Sequence, residues 1–570
     1  MAILAVTTSA SAQVVFTSPL PDGILQVRGD HADLRLHVSV TGHSNFSYKL
    51  SSDTDTSSLQ EGWNAITVQK NGIVDTLLTV LKSLHNYSLY WRTGLSSTDT
   101  GGIVAGLTPG HIIGIAGQSN AVGNVWPPSP IFVAIAQGDI RMLINDSFWQ
   151  HAAEPTDGEG QGPWIEMANE LYAQIGDTLP IGIVNTAVDG TGLTISIGTT
   201  GRWLKNSSSQ YDTMYPHAID RFRHAGSELD CITWIQGEAD GEGDWLFYPD
   251  VYRTQFATLM QDFMSDLGDT FPCFHLQISG FSGSSKPETY PQAREALRVL
   301  PPSTIVGTAI GRPLWDSQFH YTVATYQSVG RMFAGAFLFT QYGIQMPMYP
   351  PLLPDTIADL DSITDGSIAG RYCFSLGWTR AGLPVGLTIV RPDQYFTLHR
   401  DGMEFDTGSI WYRISPKDSS KVQIGLRNDS ITLDHDWQVT YDPIAAGDRA
   451  PLGTIDPLSG DTIFGTSFYE LPVRFSASAD AGVSDLSIQS IVPNPTSNAI
   501  NCYVLAEKHE IITIILYNER GVALCRSSAV LEPGTQDIPV STDGLSSGNY
   551  WVALIDDNGQ EIIVKAIVVN

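Results

Sequence analysis

The 570 residues read as a multidomain protein in which a central three-layer α/β domain is flanked by all-β sandwich domains. Three observations lead there. A single hydrophobic core stops growing well below this length, so roughly three to four domains are expected. Strand-like and helix-like segments alternate between residues 108 and 345, and the stretches before and after them carry only β patterns.

Residues 1–13 end in an Ala-Ser-Ala pattern that fits signal-peptidase cleavage, but they lack a basic n-region. They are expected to be the remnant of a secretory signal. In 14–107, Ile24 to Arg28, Leu34 to Val40 and Tyr87 to Arg92 largely alternate apolar and polar residues between polar turn clusters, which predicts a small β-sandwich. Residues 108–345 carry strand-like runs at 112–116, 181–188, 231–236, 273–279 and 304–309. Helix-like runs fall between and after them: Trp164 to Ile175, Val251 to Leu267, Pro291 to Val299 and Val323 to Tyr342. Phe256, Leu259, Met260, Phe263 and Leu267 recur at helical spacing. Such alternation implies a parallel sheet with helices on both faces and chemistry at the carboxyl ends of the strands. The run Pro347-Met-Tyr-Pro-Pro-Leu-Leu-Pro354 reads as a stiff linker, and 355–478 as a further β-rich domain. A small-residue linker, Ser476 to Val483, precedes the last domain, 487–570.

Composition narrows the function. Lys plus Arg number 31 against 60 Asp plus Glu, a net charge of −29. A surface this acidic repels phosphate backbones and anionic headgroups, so nucleic acid is not an expected partner. No apolar run approaches the ~20 residues of a spanning helix. The five cysteines, at 231, 273, 373, 502 and 525, show no metal-ligand spacing, and no metal or organic cofactor is expected. Cys502 and Cys525 share one domain and could pair.

The chemistry gathers in four blocks. Gly114-Ile-Ala-Gly-Gln-Ser-Asn-Ala-Val-Gly123 ends a strand in a small-residue turn that presents Ser119 as a nucleophile is presented. Ala121 stands where an α/β-hydrolase elbow would have its second glycine. The later blocks are Ile181 to Leu193, which breaks into glycines, Trp234-Ile-Gln-Gly-Glu-Ala-Asp240, and Asp316-Ser-Gln-Phe-His-Tyr-Thr322. Asp240-Gly-Glu-Gly-Asp244 lacks cation-loop spacing and reads as an exposed acidic loop. Trp203, Tyr211 and Tyr215 are either core or sugar-stacking aromatics.

In this order the four blocks resemble the SGNH hydrolase superfamily, most closely its sialate O-acetylesterase and acetylxylan-esterase branch, over roughly residues 108–345. Gly162-Pro-Trp-Ile-Glu-Met-Ala-Asn-Glu170 and Pro291-Gln-Ala-Arg-Glu-Ala-Leu297 are weaker parts of the match. The resemblance implies a flavodoxin-like parallel sheet and an acyl-enzyme mechanism on an acetylated carbohydrate. It makes Ser119 the nucleophile and His320 the base, with Asp316 to orient the imidazole. The family pattern is Asp-x-x-His, whereas Asp316 precedes His320 by four residues; Glu238 or a water could orient the ring instead. The oxyanion donors it implies are the backbone N–H groups of Ser119 and Gly190 and the side-chain amide of Gln236, with Asn120 and Glu238 as supports. Asp189 stands where the family has the first glycine of its Gly-Gly-Thr turn.

The Pro-Asn-Pro opening at 493–495 and the turn Gly544-Leu-Ser-Ser-Gly-Asn-Tyr550 resemble the sorting domain of the type IX secretion system. That machinery is then a partner, and the product is secreted or held at the cell surface. The competing reading is a surface glycan-binding or adhesive protein with a vestigial hydrolase domain.

Overall fold

The computed structural model describes residues 13–568 except 53–61, 83–85, 94–100, 124–134, 157–160, 176–178, 195–199, 206–212, 243–246, 280–288, 316–319, 355–357, 363–371, 381–382, 385, 390–395, 402, 405–409, 428–436, 442–451, 456–461, 465–467, 475–485, 493–498, 507–509, 519–522, 532–533, 543–544, 546–547 and 556–560. The chain divides into two compact units, 1–474 and 475–570.

A single long strand, Gly101–Gly117, is the spine of the first unit. Its first part pairs antiparallel with Tyr87–Thr93, and Thr108 to Gly110 then pair in parallel with Ile24 to Gln26. Its last part lies between the parallel strands Ile181–Asn185 and Cys231–Ile235. The border expected at 107/108 therefore falls inside one continuous strand. Beyond Cys231–Ile235 the parallel run continues through Cys273–Gln277 to Thr304–Thr308. Beyond Ile181–Asn185 it reaches Ile140–Ile144, where Phe148–His151 adds an antiparallel edge.

Three of these strands, Ile181–Asn185, Cys231–Ile235 and Cys273–Gln277, are buried at every position, as parallel strands covered on both faces must be. The helices are α1 (Ser119–Val122), α2 (Trp164–Ile175), α3 (Met214–His224), α4 (Glu238–Gly241), α5 (Pro249–Leu267), α6 (Thr289–Arg298) and α7 (Val323–Tyr342). Strand residues alternate between two cores. Ile112, Ala116, Ile232 and Trp234 pack with α3, α5 and α6, while Ile113, Ile115, Ile235 and Phe274 pack with α2 and α7. In α5 the five apolar residues at helical spacing are all buried, Pro249 starts the helix, and Gly268 stops it at φ +71°.

At the amino ends of the central strands a buried relay closes the sheet. Asp230 Oδ2 accepts from the Ile112 amide at 2.7 Å and Oδ1 meets His111 Nδ1 at 2.8 Å. The other ring nitrogen of His111 meets the Tyr342 hydroxyl, so the end of α7 is tied to two strand starts. That edge is filled by structure; the carboxyl edge is left for chemistry.

Before the spine, strand His31–Thr41 alternates half-buried or exposed with buried residues, and Leu34, Leu36, Val38 and Val40 join Phe46, Leu89 and Val104 in one core. After α7, the last three residues of the proline-rich segment expected to be a linker form an edge strand. Leu352–Pro354 pairs antiparallel with residues 378–380, and Arg380 donates to the carbonyls of Pro350 at 3.0 Å and Tyr349 at 3.3 Å. Proline is tolerated there because an edge strand leaves some of its N–H positions unpaired. A ten-stranded sheet follows, with Trp378, Trp437 and Tyr441 fully buried.

The second unit has two antiparallel sheets, of three and four strands. Val504, Ile538 and Val540 of one and Ile512, Leu516, Val552 and Leu554 of the other share a core. The Cys502 and Cys525 side chains lie outside what is described, as does the pairing expected of them. Among the described residues no helix is long and apolar enough to cross a membrane.

Candidate active site

Ser119 owes its position to two glycines and a strand end. At Gly117 the backbone has φ +136°, and a Cβ there would fall 2.1 Å from the Ile235 carbonyl oxygen, so only glycine lets the chain turn so close to the next strand. Gln118 stays extended and its carbonyl accepts from the amides of Ala121 at 2.7 Å and Val122 at 2.9 Å, which makes Ser119 the first residue of α1. Gly123, at φ +92°, ends the turn against Gly162, and Trp164 Nε1 donates to the Ala121 carbonyl at 2.5 Å.

Asn120 joins three of the four sequence blocks. Its Nδ2 donates to Glu238 Oε1 at 2.7 Å, while its Oδ1 accepts from the Tyr321 amide at 3.3 Å and the Tyr326 hydroxyl at 2.9 Å. The residue after Ser119 is thus bonded to the residue after His320. His320 is half-buried, at the end of a loop closed by the Leu314–Tyr321 bridge and by the Trp315 amide donating to the His320 carbonyl at 3.0 Å. Thr322 then caps α7 by accepting from the Thr325 amide at 3.3 Å. Asp316 lies outside the described residues.

Glu238 is fully buried, and burial pushes its carboxyl above the usual carboxylate range. The Asn120 amide, the positive charge of His320 when protonated, and the Tyr321 hydroxyl pull the other way.

Gln236 is also fully buried, but its amide is engaged. Nε2 donates to Asp240 Oδ2 at 2.6 Å, Gln118 Oε1 at 3.1 Å and the Thr191 carbonyl at 3.2 Å, and Oε1 accepts from the Tyr252 hydroxyl at 2.6 Å. The expectation that Gln236 offers this amide to an oxyanion meets a side chain already bonded on every side. Gln118 was not singled out in the sequence. Its Oε1 also accepts from the amides of Ala239 at 3.1 Å and Gly237 at 3.4 Å, which fixes the serine turn against the third block.

The Gly190 turn, at φ +66°, is held from both sides. Thr191 Oγ1 lies 2.8 Å from the Val188 carbonyl and 3.2 Å from the Gly117 carbonyl. Just beyond, Asp240 accepts from the Leu193 amide at 2.9 Å, the Thr194 amide at 2.7 Å and Thr194 Oγ1 at 2.5 Å. Asp240 is 1 % exposed, so the expected exposed acidic loop is corrected at this residue: it is a buried clamp. Asp189 points its departure from the family glycine outward, being exposed. Among the described residues the amides of Ser119 and Gly190 donate to no protein acceptor.

The aromatics held open for sugar stacking are settled in part. Trp203 is fully buried edge-on to Trp234, and Tyr215 is buried in a stack on Phe263. Tyr211 lies outside the described residues.

Glu154 went unnoticed in the sequence. Its carboxyl oxygens are sealed from solvent, and burial pushes its pKa from 4.5 to about 8 against the pull of the Gly162 and Thr156 amides. Folding therefore holds a proton on Glu154. The stability this gives is full below about pH 4.5 and is lost as pH rises through about 8. Thermal melts of the wild type and Glu154→Gln across that window should show the variant less sensitive to pH and the more stable of the two at the alkaline end. Parallel curves would remove Glu154 from the pH response.

Comparison places the central region among the carbohydrate esterases. Residues 109–339 match the family described as carbohydrate esterase, sialic acid-specific acetylesterase, and residues 490–570 match the secretion system C-terminal sorting domain. The chain thus carries an esterase domain of that family and a type IX sorting domain, which marks it for secretion or the cell surface. A carbohydrate acetylesterase from Xanthomonas citri shares the fold at 18% identity and TM-score 0.56, covering 80% of this chain and 98% of its own. A family two carbohydrate esterase from Cellvibrio japonicus aligns at 12% identity and TM-score 0.26, over 57% of this chain and 98% of its own. A beta-glucuronidase from Bacteroides uniformis aligns at 10% identity and TM-score 0.25, over 97% of this chain and 77% of its own. Those last two scores carry no structural argument. No curated protein matches the chain significantly.

Proposed function

We propose that the protein is a secreted serine carbohydrate esterase that removes O-acetyl groups from sugars or polysaccharides through an acyl-enzyme. The observation that carries this is the Asn120 bridge, which brings the turn bearing Ser119 and the loop bearing His320 together on one sheet edge. We read the strand order 140–144, 181–185, 111–117, 231–235, 273–277, 304–308, with helices on both faces, as the three-layer, flavodoxin-like arrangement of SGNH hydrolases.

In this mechanism Ser119 Oγ attacks the acetyl carbonyl as His320 takes its proton. The amides of Ser119 and Gly190 receive the oxyanion, each such donor being worth roughly 3 to 4 kcal/mol in related sites. The sugar hydroxyl leaves with the proton from His320, and water then attacks the acetyl-serine with His320 as base. Asp316 is assigned to orient the imidazole, with Glu238 as the other carboxyl near the ring. Gln236 keeps the hole in shape through Gln118, Thr191 and Asp240, and needs no free amide to do so.

The test is acetate release by the purified chain from acetylated xylan, O-acetylated sialic acid and acetylated pectin, together with fluorophosphonate labelling. Release from at least one glycan and label on Ser119 are expected. Glycan binding with neither release nor labelling would favour the adhesive reading.

A further inference from the structure

Carbohydrate is held largely by aromatic rings packed against the C–H faces of sugars, and the buried Trp203 and Tyr215 are not placed to do this. Another aromatic is. Trp315 is 39% exposed and next to His320 in space as well as in its loop. The two rings are nearly parallel, at 15°, with centroids 6.2 Å apart. At that separation near-parallel rings are strongly offset, so most of the indole face extends past the imidazole. The backbone holds this arrangement through the Trp315 to His320 hydrogen bond and the Leu314–Tyr321 bridge.

An acetylated neutral sugar gives a surface of net charge −29 nothing to attract, so apolar stacking is the contact such a substrate can use. Among the described tryptophans of this domain, Trp149, Trp164, Trp203 and Trp234 are buried and Trp315 is the exposed one, forgoing burial that the fold takes from the rest.

We propose that the outward face of Trp315 is the sugar platform of the site, stacking on the ring whose acetyl ester is presented to Ser119. The proposal rests on the esterase reading and names the residue that selects a carbohydrate over a simple ester. Trp315 is a binding residue here; His320 remains the base.

The experiment compares xylose tetraacetate with ethyl acetate, which has no ring to stack, in the wild-type chain, Trp315→Ala and Trp315→Phe. Trp315→Ala should raise KM for xylose tetraacetate about three- to tenfold and lower kcat/KM for the sugar ester by a clearly larger factor than for ethyl acetate, as the worth of one aromatic stack implies. Trp315→Phe should restore most of the loss. An unchanged KM for the sugar ester, or an equal fall on both esters, would overturn the platform, the latter making Trp315 a prop for His320. Calorimetric binding of xylose tetraacetate to Ser119→Ala, with and without Trp315→Ala, keeps the two readings separable. Loss of binding in the double variant supports the platform even if turnover assays fail the esterase reading, and equal binding refutes it.

Discussion

Ser119→Ala is expected to lower kcat for acetate release by about 10⁴- to 10⁶-fold, with a melting temperature close to that of the wild type. The size follows from the proposed mechanism, in which loss of Oγ leaves no acyl-enzyme and only the amide donors and substrate binding to act. The intact fold follows from the structure. α1 is set by the glycines at 117 and 123 and by the Gln118 carbonyl, none of which uses the serine hydroxyl. Alanine is also the best helix former, so the turn keeps its geometry. Steady-state kinetics on the best glycan from the acetate screen, with a thermal melt as control, decides the matter. Turnover within tenfold of the wild type would end the serine mechanism.

Asp240→Ala should cost the first unit about 3–5 kcal/mol, because removing the carboxylate strands donors that are buried or half-buried. Those donors are the Leu193 and Thr194 amides, Thr194 Oγ1 and Gln236 Nε2, all within 2.9 Å of Asp240. They come from the segment after Gly190 and from the third block, so losing them loosens the Gly190 turn, the proposed oxyanion site, as well. Displacement of a catalytic group by an ångström costs on the order of 10²-fold, and kcat/KM should fall about that far. Asp240→Asn keeps the volume but turns one NH2 donor toward these donors in place of an acceptor, and should lie between the two. Denaturant unfolding and acetate-release kinetics measure both effects. A variant with wild-type stability would show that Asp240 clamps nothing.

Much of the architecture was legible because burial follows period. Trp164 to Ile175 and Val323 to Tyr342 are helices over the ranges the pattern predicts, and α5 begins two residues before Val251. α3 was missed although Tyr215, Ala218, Ile219 and Phe222 have helical spacing. Pro216 lies in its first turn, where proline removes no intrahelical bond. Proline richness at 347–354 reports stiffness and not pairing; a partner strand at 378–380 decided that residues 352–354 pair as a strand.

The site divides the same way. Ser119, Gly190, Asn120, Glu238 and His320 stand out by residue type and by their place just past strand ends, which is local information. Gln118, Asp240 and Glu154 did not, since their roles lie wholly in what they meet.

By itself, then, the sequence determined the order of β and α segments, the glycine-bounded serine turn, the acidic surface and the sorting tail, all of which depend on neighbours a few residues away. Only the tertiary structure decided that the Gln236 amide is bonded to Asp240, Gln118 and Thr191, that Asp240 is buried, and that Asn120 reaches partners 118 and 201 residues distant. The reason is physical: a hydrogen bond needs its partner within about 3 Å. Which distant groups come that close is set by strand order and helix packing, quantities that no local pattern of residues contains.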